Sequence, residues 1–220
     1  MKIKRFDPMS AKPAHEGTIL ADRVIPEGMN EPFDHAYGYL LNGKSMMGHD
    51  HPTDEIYVVM SGTGHVIVGG RNAKVKTGDV AVIPPGTYHT MLCTEDDAAP
   101  FKWAALWWPH IEGGAGEQPE EISIARFDSA GKASEPAVPS RMKAPFEHSF
   151  EHLSPGVKRP SRSEKEGVYI ILSGNADISV GNERAALSAG DVVGLPPGEN
   201  VLLEAKSGEV FFIYLRWPAR

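Results

Sequence analysis

Three histidines and one glutamate stand at a spacing that could hold a metal ion. His49, His51 and Glu55 have the same parity, so on an extended segment their side chains point to one side. His89 follows a Pro-Pro-Gly turn, on a different strand, and can complete the set. Imidazole and carboxylate ligands suit Fe, Mn, Co, Ni, Cu or Zn, and an octahedral metal with these four ligands would keep positions open for water, O₂ or substrate. The chain has nine histidines but one cysteine, which excludes a thiolate cluster.

The elements that would position these residues are short strands. Runs of β-branched and aromatic residues at 56–60, 65–68 and 80–83 each end at Ser-Gly, Gly-Gly or Pro-Pro-Gly. The chain contains 23 Gly and 18 Pro among 220 residues, which favours turns over helices. Strands at this spacing, with turn residues between them, predict an all-β sandwich or barrel.

The chain repeats itself. Residues 62–86 match residues 174–198 without a gap, at an offset of 112. Three further blocks match in the same order: 3–7 with 124–128, 29–35 with 142–148, and 106–109 with 215–218. The repeat predicts two homologous domains, residues 1–112 and 121–220, joined by a Gly-rich acidic linker at 113–120.

The first half carries two motifs, one beginning at Gly43 and one at Gly78. They read G-x5-H-x-H-x3-E-x6-G and G-x5-P-x-G-x2-H-x3-N, with Cys93 standing at the final Asn. In both motifs the chain resembles the cupin superfamily. The resemblance implies two tandem double-stranded β-helix barrels of jelly-roll type. It also implies that His49, His51, Glu55 and His89 bind one divalent transition metal, namely Fe, Mn, Ni or Zn.

The second half keeps the turn residues of the motifs but not the ligands. At the offset of 112, the four ligand positions are occupied by Ser161, Ser163, Gly167 and Val201. Together these four residues do not form a plausible set of metal ligands. The chain therefore resembles a bicupin with a metal-binding N-terminal barrel and a metal-free C-terminal barrel.

Three functions fit this pattern. The resemblance favours a dioxygenase-type oxidoreductase acting on a small organic molecule. The alternatives are a metal-dependent isomerase or lyase acting on a sugar or sugar acid, and a binding protein without turnover. Glu55 and Tyr57 are the candidate catalytic residues. Tyr57 has a counterpart, Tyr169, in the half without ligands, so a packing role for Tyr57 is as well supported as a catalytic one.

Six further residues are candidates to line the pocket. They are His35, Tyr37, Met47, Met91, Cys93 and Trp103. Core packing is the alternative for the two methionines and the cysteine. His35 recurs as His148 in the second half, which favours a structural role at the contact between barrels.

Charge and hydropathy limit the partners. The formal net charge is −7, so a nucleic-acid partner is not expected. The chain has neither a signal-peptide core nor an apolar run long enough to span a membrane, which predicts a cytoplasmic protein without a membrane partner. The two barrels are expected to pair within one chain, as in bicupins, and a homodimer is left open as a further assembly.

Overall fold

The computed structural model describes residues 1–111, 122–127 and 137–219. The predicted linker at 113–120 lies outside the described residues. The described part contains one three-residue 3₁₀ helix, Ser140–Met142, and is otherwise built from strands. The strands are β1 (Lys2–Lys4), β2 (Lys12–Ala14), β3 (Ile19–Asp22), β4 (Asp34–Leu40), β5 (Lys44–Ser45), β6 (Thr53–Ser61), β7 (Thr63–Val68), β8 (Arg71–Lys76), β9 (Val80–Ile83), β10 (His89–Cys93), β11 (Phe101–Pro109), β12 (Ile124–Ala125), β13 (Glu147–Leu153), β14 (Lys158–Arg162), β15 (Glu166–Ser173), β16 (Asn175–Val180), β17 (Glu183–Ser188), β18 (Val192–Leu195), β19 (Asn200–Ala205) and β20 (Val210–Trp217).

Each half consists of a large and a small antiparallel sheet. In the first half, a seven-stranded sheet of order β12-β9-β6-β11-β4-β3-β2 faces a four-stranded sheet of order β5-β10-β7-β8. In the second half, a five-stranded sheet of order β1-β18-β15-β20-β13 faces a four-stranded sheet of order β14-β19-β16-β17. Side chains from both sheets of each half form one interior core. The prediction of two tandem jelly-roll-like cupin barrels is confirmed.

The burial of the strands explains their sequences. On β7, buried and half-buried residues alternate, because one face of the small sheet packs on the interior and the other faces solvent. On β6, every residue from Asp54 to Met60 is buried. Its two faces pack against two different cores, so residues 56–60 form a continuous apolar run, which Asp54 and Glu55 precede.

The repeat found in the sequence is also a repeat of strand register. His49 pairs with His89 in an isolated antiparallel bridge, and Ser161 pairs with Val201 on β14 and β19. These pairs are related by the same offset of 112. The structure therefore brings the two ligand-bearing segments together in the first half and their counterparts together in the second.

The large sheets of the two halves share a third core. The outward faces of β6, β9 and β11 pack against those of β15, β18 and β20. The matched residues of the repeat meet there: the ring centroids of Phe33 and Phe146 are 4.9 Å apart, those of Phe33 and Trp217 are 5.4 Å apart, and those of Trp108 and Phe146 are 5.2 Å apart. The repeated Pro-Phe block thus lies at the contact between barrels.

Two short strands pair across the predicted domain boundary. β1 precedes the first barrel in sequence but pairs with β18 of the second, with Ile3 opposite Val193. β12 follows the linker but pairs with β9 of the first barrel, with Ile124 opposite Ala81. The division at 113–120 therefore separates the repeats in sequence, but each half adds one edge strand to the large sheet of the other half. Covering an edge with a strand from the other half satisfies backbone groups that would otherwise be exposed.

The described ranges contain no helix with the length and hydrophobicity that crossing a membrane requires.

Candidate metal centre

Three imidazoles converge inside the first barrel. One ring nitrogen from each of His49, His51 and His89 lies within 4.8 Å of the other two. The ring centroids of His49 and His89 are 4.4 Å apart, and those of His51 and His89 are 4.9 Å apart. The side chains meet as the parity predicts, although 49–55 is not one continuous strand, since β6 begins at Thr53.

Each imidazole is held through Nδ1 by an oxygen outside the cluster. His89 Nδ1 is 2.8 Å from the Thr87 carbonyl oxygen, His51 Nδ1 is 2.7 Å from Thr53 Oγ1, and His49 Nδ1 is 3.4 Å from the Met47 carbonyl oxygen. Histidines that bind metals are commonly oriented in this way. An Nδ1–H bonded to a carbonyl leaves Nε2 as the free lone pair, which is the form that a metal binds.

The fully buried side chain of His89 provides a test of whether a metal fits. Its Nε2 is buried and has no hydrogen-bond partner, although it lies 3.3 Å from Glu55 Oε2. An orphaned polar atom in the interior is costly unless another group satisfies it. A cation between the imidazoles and Glu55 would satisfy it, so the donor set fits a divalent transition metal.

Glu55 lies on β6 at the centre of the cluster. The carboxylate is buried, and its Oε2 is 2.9 Å from His51 Nε2. Burial raises the pKa of Glu55, but the hydrogen bond from His51 and the charges of His51 and His89 outweigh it, so the pKa is lowered overall. The reciprocal interaction raises the pKa of His51 despite its burial. Glu55 is therefore ionised at neutral pH and can serve as a ligand or as a proton acceptor.

Tyr57 is two residues further along the same face. Its ring centroid is 5.8 Å from that of His89 and 6.1 Å from that of Trp103. Burial and the nearby Glu55 carboxylate raise the pKa of Tyr57 well above its ordinary value. The phenol stays protonated at neutral pH, which rules it out as a general base and leaves it as a hydrogen-bond donor. Of the two catalytic candidates, Glu55 alone has the charge state of a base.

A cavity of about 320 Å³ adjoins the cluster. This volume is at the small end of the range for ligand pockets. The apolar residues lining it are Ala14, Ile19, Ala21, Ala36, Gly38, Met46, Trp103, Ala105 and Trp107. Trp103 lies so close to Gly38 that an added Cβ would be 2.1 Å from the indole. Within the described lining, polar groups come from Tyr37, Thr53, Tyr57, Glu55 and the histidines, and neither lysine nor arginine takes part.

The structure divides the six pocket candidates. Trp103 and Tyr37 line the cavity. The Tyr37 hydroxyl nevertheless donates to the Gly190 carbonyl oxygen of the second half, at 2.9 Å, so its polar end belongs to the contact between barrels. Met91 and Cys93 are fully buried in the interior core and do not line the cavity, so core packing was the right alternative for them.

The remaining two candidates, Met47 and His35, point elsewhere. Met47 is exposed, and its neighbour Met46 lines the cavity instead, because β5 ends at Ser45 and the alternation stops there. The side chain of His35 is bonded to Glu31 at 2.9 Å and to the Val24 backbone N–H at 3.2 Å, away from the cavity. Its prediction as a pocket residue is wrong, and the structural alternative describes its contacts.

His15 is a site residue that the sequence did not indicate. It lies between β2 and β3, half-buried, with its ring centroid 4.5 Å from that of His49. It lines the cavity. Nothing near it in sequence resembles a ligand motif, and the pairing of β3 with β4 that brings it to the site is not encoded in any local pattern.

The turn that carries His15 is strained. His15 and Glu16 have φ values of 49° and 57°, and Gly17 follows at 81°. A left-handed backbone costs about 1–2 kcal/mol for each non-glycine residue. Backbone bonds within the turn and the Thr18 hydroxyl, which donates to the His15 carbonyl oxygen at 2.6 Å, hold this conformation.

The corresponding place in the second barrel is occupied by a partly buried ion pair. The Arg159 guanidinium lies 5.7 Å from the ring centre of Tyr169 and 5.6 Å from that of Tyr214. It donates to the Tyr169 hydroxyl at 2.7 Å and to the Glu151 carboxylate at 2.6 Å. Ser161, in the place of His49, shares a hydrogen bond of 2.7 Å with the Tyr169 hydroxyl. These side chains leave no ligand set where the first barrel has one.

Comparison with known proteins agrees with this architecture. Residues 39–108, which contain both ligand segments, match the family described as the cupin domain. The first barrel therefore contains a cupin domain, at residues 39–108. An uncharacterized protein of Sinorhizobium fredii, y4oW, is 31% identical to this cupin over 83 residues. The match covers 34% of this chain, and it spans only about 38% of the length of that relative.

Solved structures resemble the whole two-barrel chain. A mutant of salicylate 1,2-dioxygenase from Pseudoaminobacter salicylatoxidans, in complex with gentisate, superposes with a TM-score of 0.66 at 14% identity, covering 94% of this cupin and 76% of that chain. A mutant of oxalate decarboxylase from Bacillus subtilis superposes with a TM-score of 0.63 at 14% identity, covering 100% and 78%. At such identities the likeness extends to the fold alone.

Proposed function

We propose that this cupin is a metal-dependent enzyme of the dioxygenase type that acts on a small, flat organic molecule. The observation that carries the proposal is the convergence of three Nδ1-anchored imidazoles and an ionised Glu55 beside a cavity. His49, His51, Glu55 and His89 would hold one divalent metal. A redox-active metal bound there supplies Lewis-acid and O₂-activating chemistry.

The residues around the ligands would select and orient the substrate. The flat indoles of Trp103 and Trp107 and several alanines bound a narrow, largely apolar cavity. Such walls favour a planar molecule that presents its oxygens to the metal. The Tyr57 hydroxyl, kept protonated by burial, would donate a hydrogen bond beside the ligands. Glu55 would accept a proton from a substrate hydroxyl.

The cavity gives less support to sugar isomerisation. Recognition of a sugar or sugar acid uses many hydrogen-bonding groups, and an anionic sugar acid also calls for a cation. The described lining offers Thr53 and Tyr57 outside the ligand cluster and its neighbour His15, with Tyr37 engaged by Gly190. The lining of indoles and alanines therefore favours the dioxygenase-type function over an isomerase or lyase.

Metal reconstitution tests the proposal. Protein stripped with a chelator is reloaded with Fe²⁺, Mn²⁺, Ni²⁺ or Zn²⁺, and O₂ consumption is followed with a panel of hydroxylated aromatic acids. We expect substrate-dependent O₂ uptake with Fe²⁺, matched by consumption of the aromatic compound, and its loss in His51→Ala. Ser163→Ala, at the matching position of the second barrel, is the control that should leave uptake unchanged. Aldose–ketose interconversion without O₂ uptake under any metal would contradict the proposal.

A further inference from the structure

The β2–β3 turn places a fourth imidazole beside the ligand cluster. The ring of His15 lies tilted against that of His49, with a centroid distance of 4.5 Å and an angle of 46° between the planes. His15 lines the same cavity, but it does not belong to the group whose nitrogens converge within 4.8 Å. His15 is half-buried, as His49 and His51 are, whereas His89 and Glu55 are buried. It therefore stands beside His49 and away from the buried end of the cluster, where a part of a bound molecule that does not touch the metal would lie.

The ring of His15 is available to a ligand. Its backbone carbonyl accepts bonds from Thr18, but across the described residues neither of its ring nitrogens makes a hydrogen bond. An imidazole always offers at least one N–H donor. A donor that faces a cavity without a partner can recognise an acceptor on the occupant of that cavity.

The backbone is built to hold the ring there. His15 and Glu16 both adopt left-handed conformations that non-glycine residues rarely take. Thr18 Oγ1, which donates to the His15 carbonyl, also accepts the Met47 backbone N–H at 2.8 Å. The turn is thus tied to the segment that leads into His49. Strain that the surroundings maintain, on a residue facing a site, is the pattern found at functional positions.

We propose that His15 is a substrate-contacting residue that selects molecules bearing an acceptor, such as a carboxylate, on the edge opposite their metal-binding oxygens. The inference rests on the proposed function, because it concerns the same site. It adds the polarity of the substrate: oxygens at the metal end, an apolar body between the walls, and an acceptor at the His15 end.

Catechol and protocatechuate form a matched pair of probes, since both present two adjacent oxygens and only the second carries an opposite carboxylate. Their dissociation constants for the Ni²⁺-loaded full chain are measured by calorimetry, together with metal content by elemental analysis. We expect the wild type to prefer protocatechuate. His15→Gly should weaken protocatechuate binding by about tenfold, as for a hydrogen bond to a charged group, and change catechol binding less than about twofold.

Two variants separate this role from simple packing. His15→Phe keeps a ring on His49 but removes the nitrogens, so it should lose the preference as fully as His15→Gly. Glu16→Gly makes the same substitution at the next left-handed position, which is exposed and outside the lining, and should keep the wild-type preference. Because glycine relieves the backbone strain, His15→Gly should fold without a lower melting temperature.

The outcomes are distinct. Retention of the preference in His15→Phe or His15→Gly, absence of binding of both probes to metal-loaded wild type, or loss of metal in His15→Gly would each overturn the inference. Absence of metal from the reloaded wild type would instead overturn the proposed function, and the role of His15 with it.

Discussion

Glu55 and Gly167 occupy the same place in the two halves of this cupin. In the first barrel Glu55 projects among three imidazoles beside a cavity. In the second, a Cβ added at Gly167 would lie 2.4 Å from the Leu215 carbonyl oxygen, so the strand there has closed on the space that a carboxylate needs. The register around both positions is the same, with Tyr57 opposite Ala105 and Tyr169 opposite Tyr214.

The difference shows that the scaffold and the site are separable. The second barrel keeps its sheets and its tyrosine while Arg159, Glu151 and the large Tyr214 occupy its interior. The first barrel has Ala105 where the second has Tyr214, and that change from a phenol to a methyl group helps to make room for a cavity. The metal site that we propose for the first barrel therefore depends on its four ligand residues and also on the small residues around them.

We expect the largest effect, aggregation of the first barrel, when the second barrel is removed. Truncating the chain to residues 1–112 uncovers the apolar faces of β6, β9 and β11 and removes β12 from the edge of β9. Exposed apolar surface of this extent drives aggregation. We expect fragment 1–112 to aggregate, as judged by size-exclusion chromatography.

A protease site inserted at 113–120 of the full chain provides the control. After cleavage the two pieces should still elute together, because the shared core and the exchanged strands hold them. A soluble, monomeric, metal-binding fragment 1–112 would show that the first barrel does not need the second.

The next largest effect is a loss of stability when the Arg159–Glu151 ion pair of the second barrel is broken. Arg159→Met removes the cation that bonds both the Glu151 carboxylate and the Tyr169 hydroxyl. Losing these bonds to a charged group should lower the free energy of unfolding by about 1–3 kcal/mol, measured by urea denaturation. Metal content should not change. Lys158→Met, on the same strand but exposed and 3.6 Å from Glu204, should cost less than about 0.5 kcal/mol. Equal costs for the two variants would mean that the Arg159–Glu151 pair stabilises the second barrel no more than an exposed ion pair does.

A smaller effect is a pH-dependent contribution to stability from a loop that differs in length between the halves. Residues 94–100 connect β10 to β11, whereas the shorter 206–209 connects β19 to β20. Asp97 in the longer loop accepts bonds from the Thr94 backbone and hydroxyl, both at 2.8 Å, and from Thr63 Oγ1 at 3.0 Å. Although burial opposes the charge, these hydrogen bonds lower the pKa of Asp97 to about 2 from an ordinary value of 3.8.

A carboxyl group whose pKa is lower in the folded than in the unfolded state stabilises the fold at any pH where it is ionised in both states. The contribution of Asp97, about 2 kcal/mol, should therefore be complete above pH 4 or so and disappear as the pH falls toward 2. Asp97→Asn should lower the free energy of unfolding at pH 7, and its difference from wild type should shrink on acidification. Asp96→Asn, at an exposed position in the same loop, should change little at either pH. A constant difference for Asp97→Asn across this range would refute the ionic origin of the stabilisation.

The sequence predicted the repeat, the strands at 56–60, 65–68 and 80–83, and the residues that converge in the first barrel. These follow from local alternation and from fixed spacing, which strand register preserves. His15 could not be predicted, because its approach to His49 depends on the pairing of β3 with β4. The exchange of β1 and β12 between halves was also missed, since strands of two or three residues carry almost no pattern. Met46 replaced Met47 in the lining because alternation fails where β5 ends.

We propose that one barrel of the pair holds a metal through His49, His51, Glu55 and His89. Elemental analysis of the purified chain, after loading with a divalent metal and exhaustive dialysis, tests this site most directly when the wild type is compared with His89→Ala and Val201→Ala. We expect one metal per chain in the wild type and in Val201→Ala, and almost none in His89→Ala. Two metals per chain, none in the wild type, or one retained by His89→Ala would contradict it.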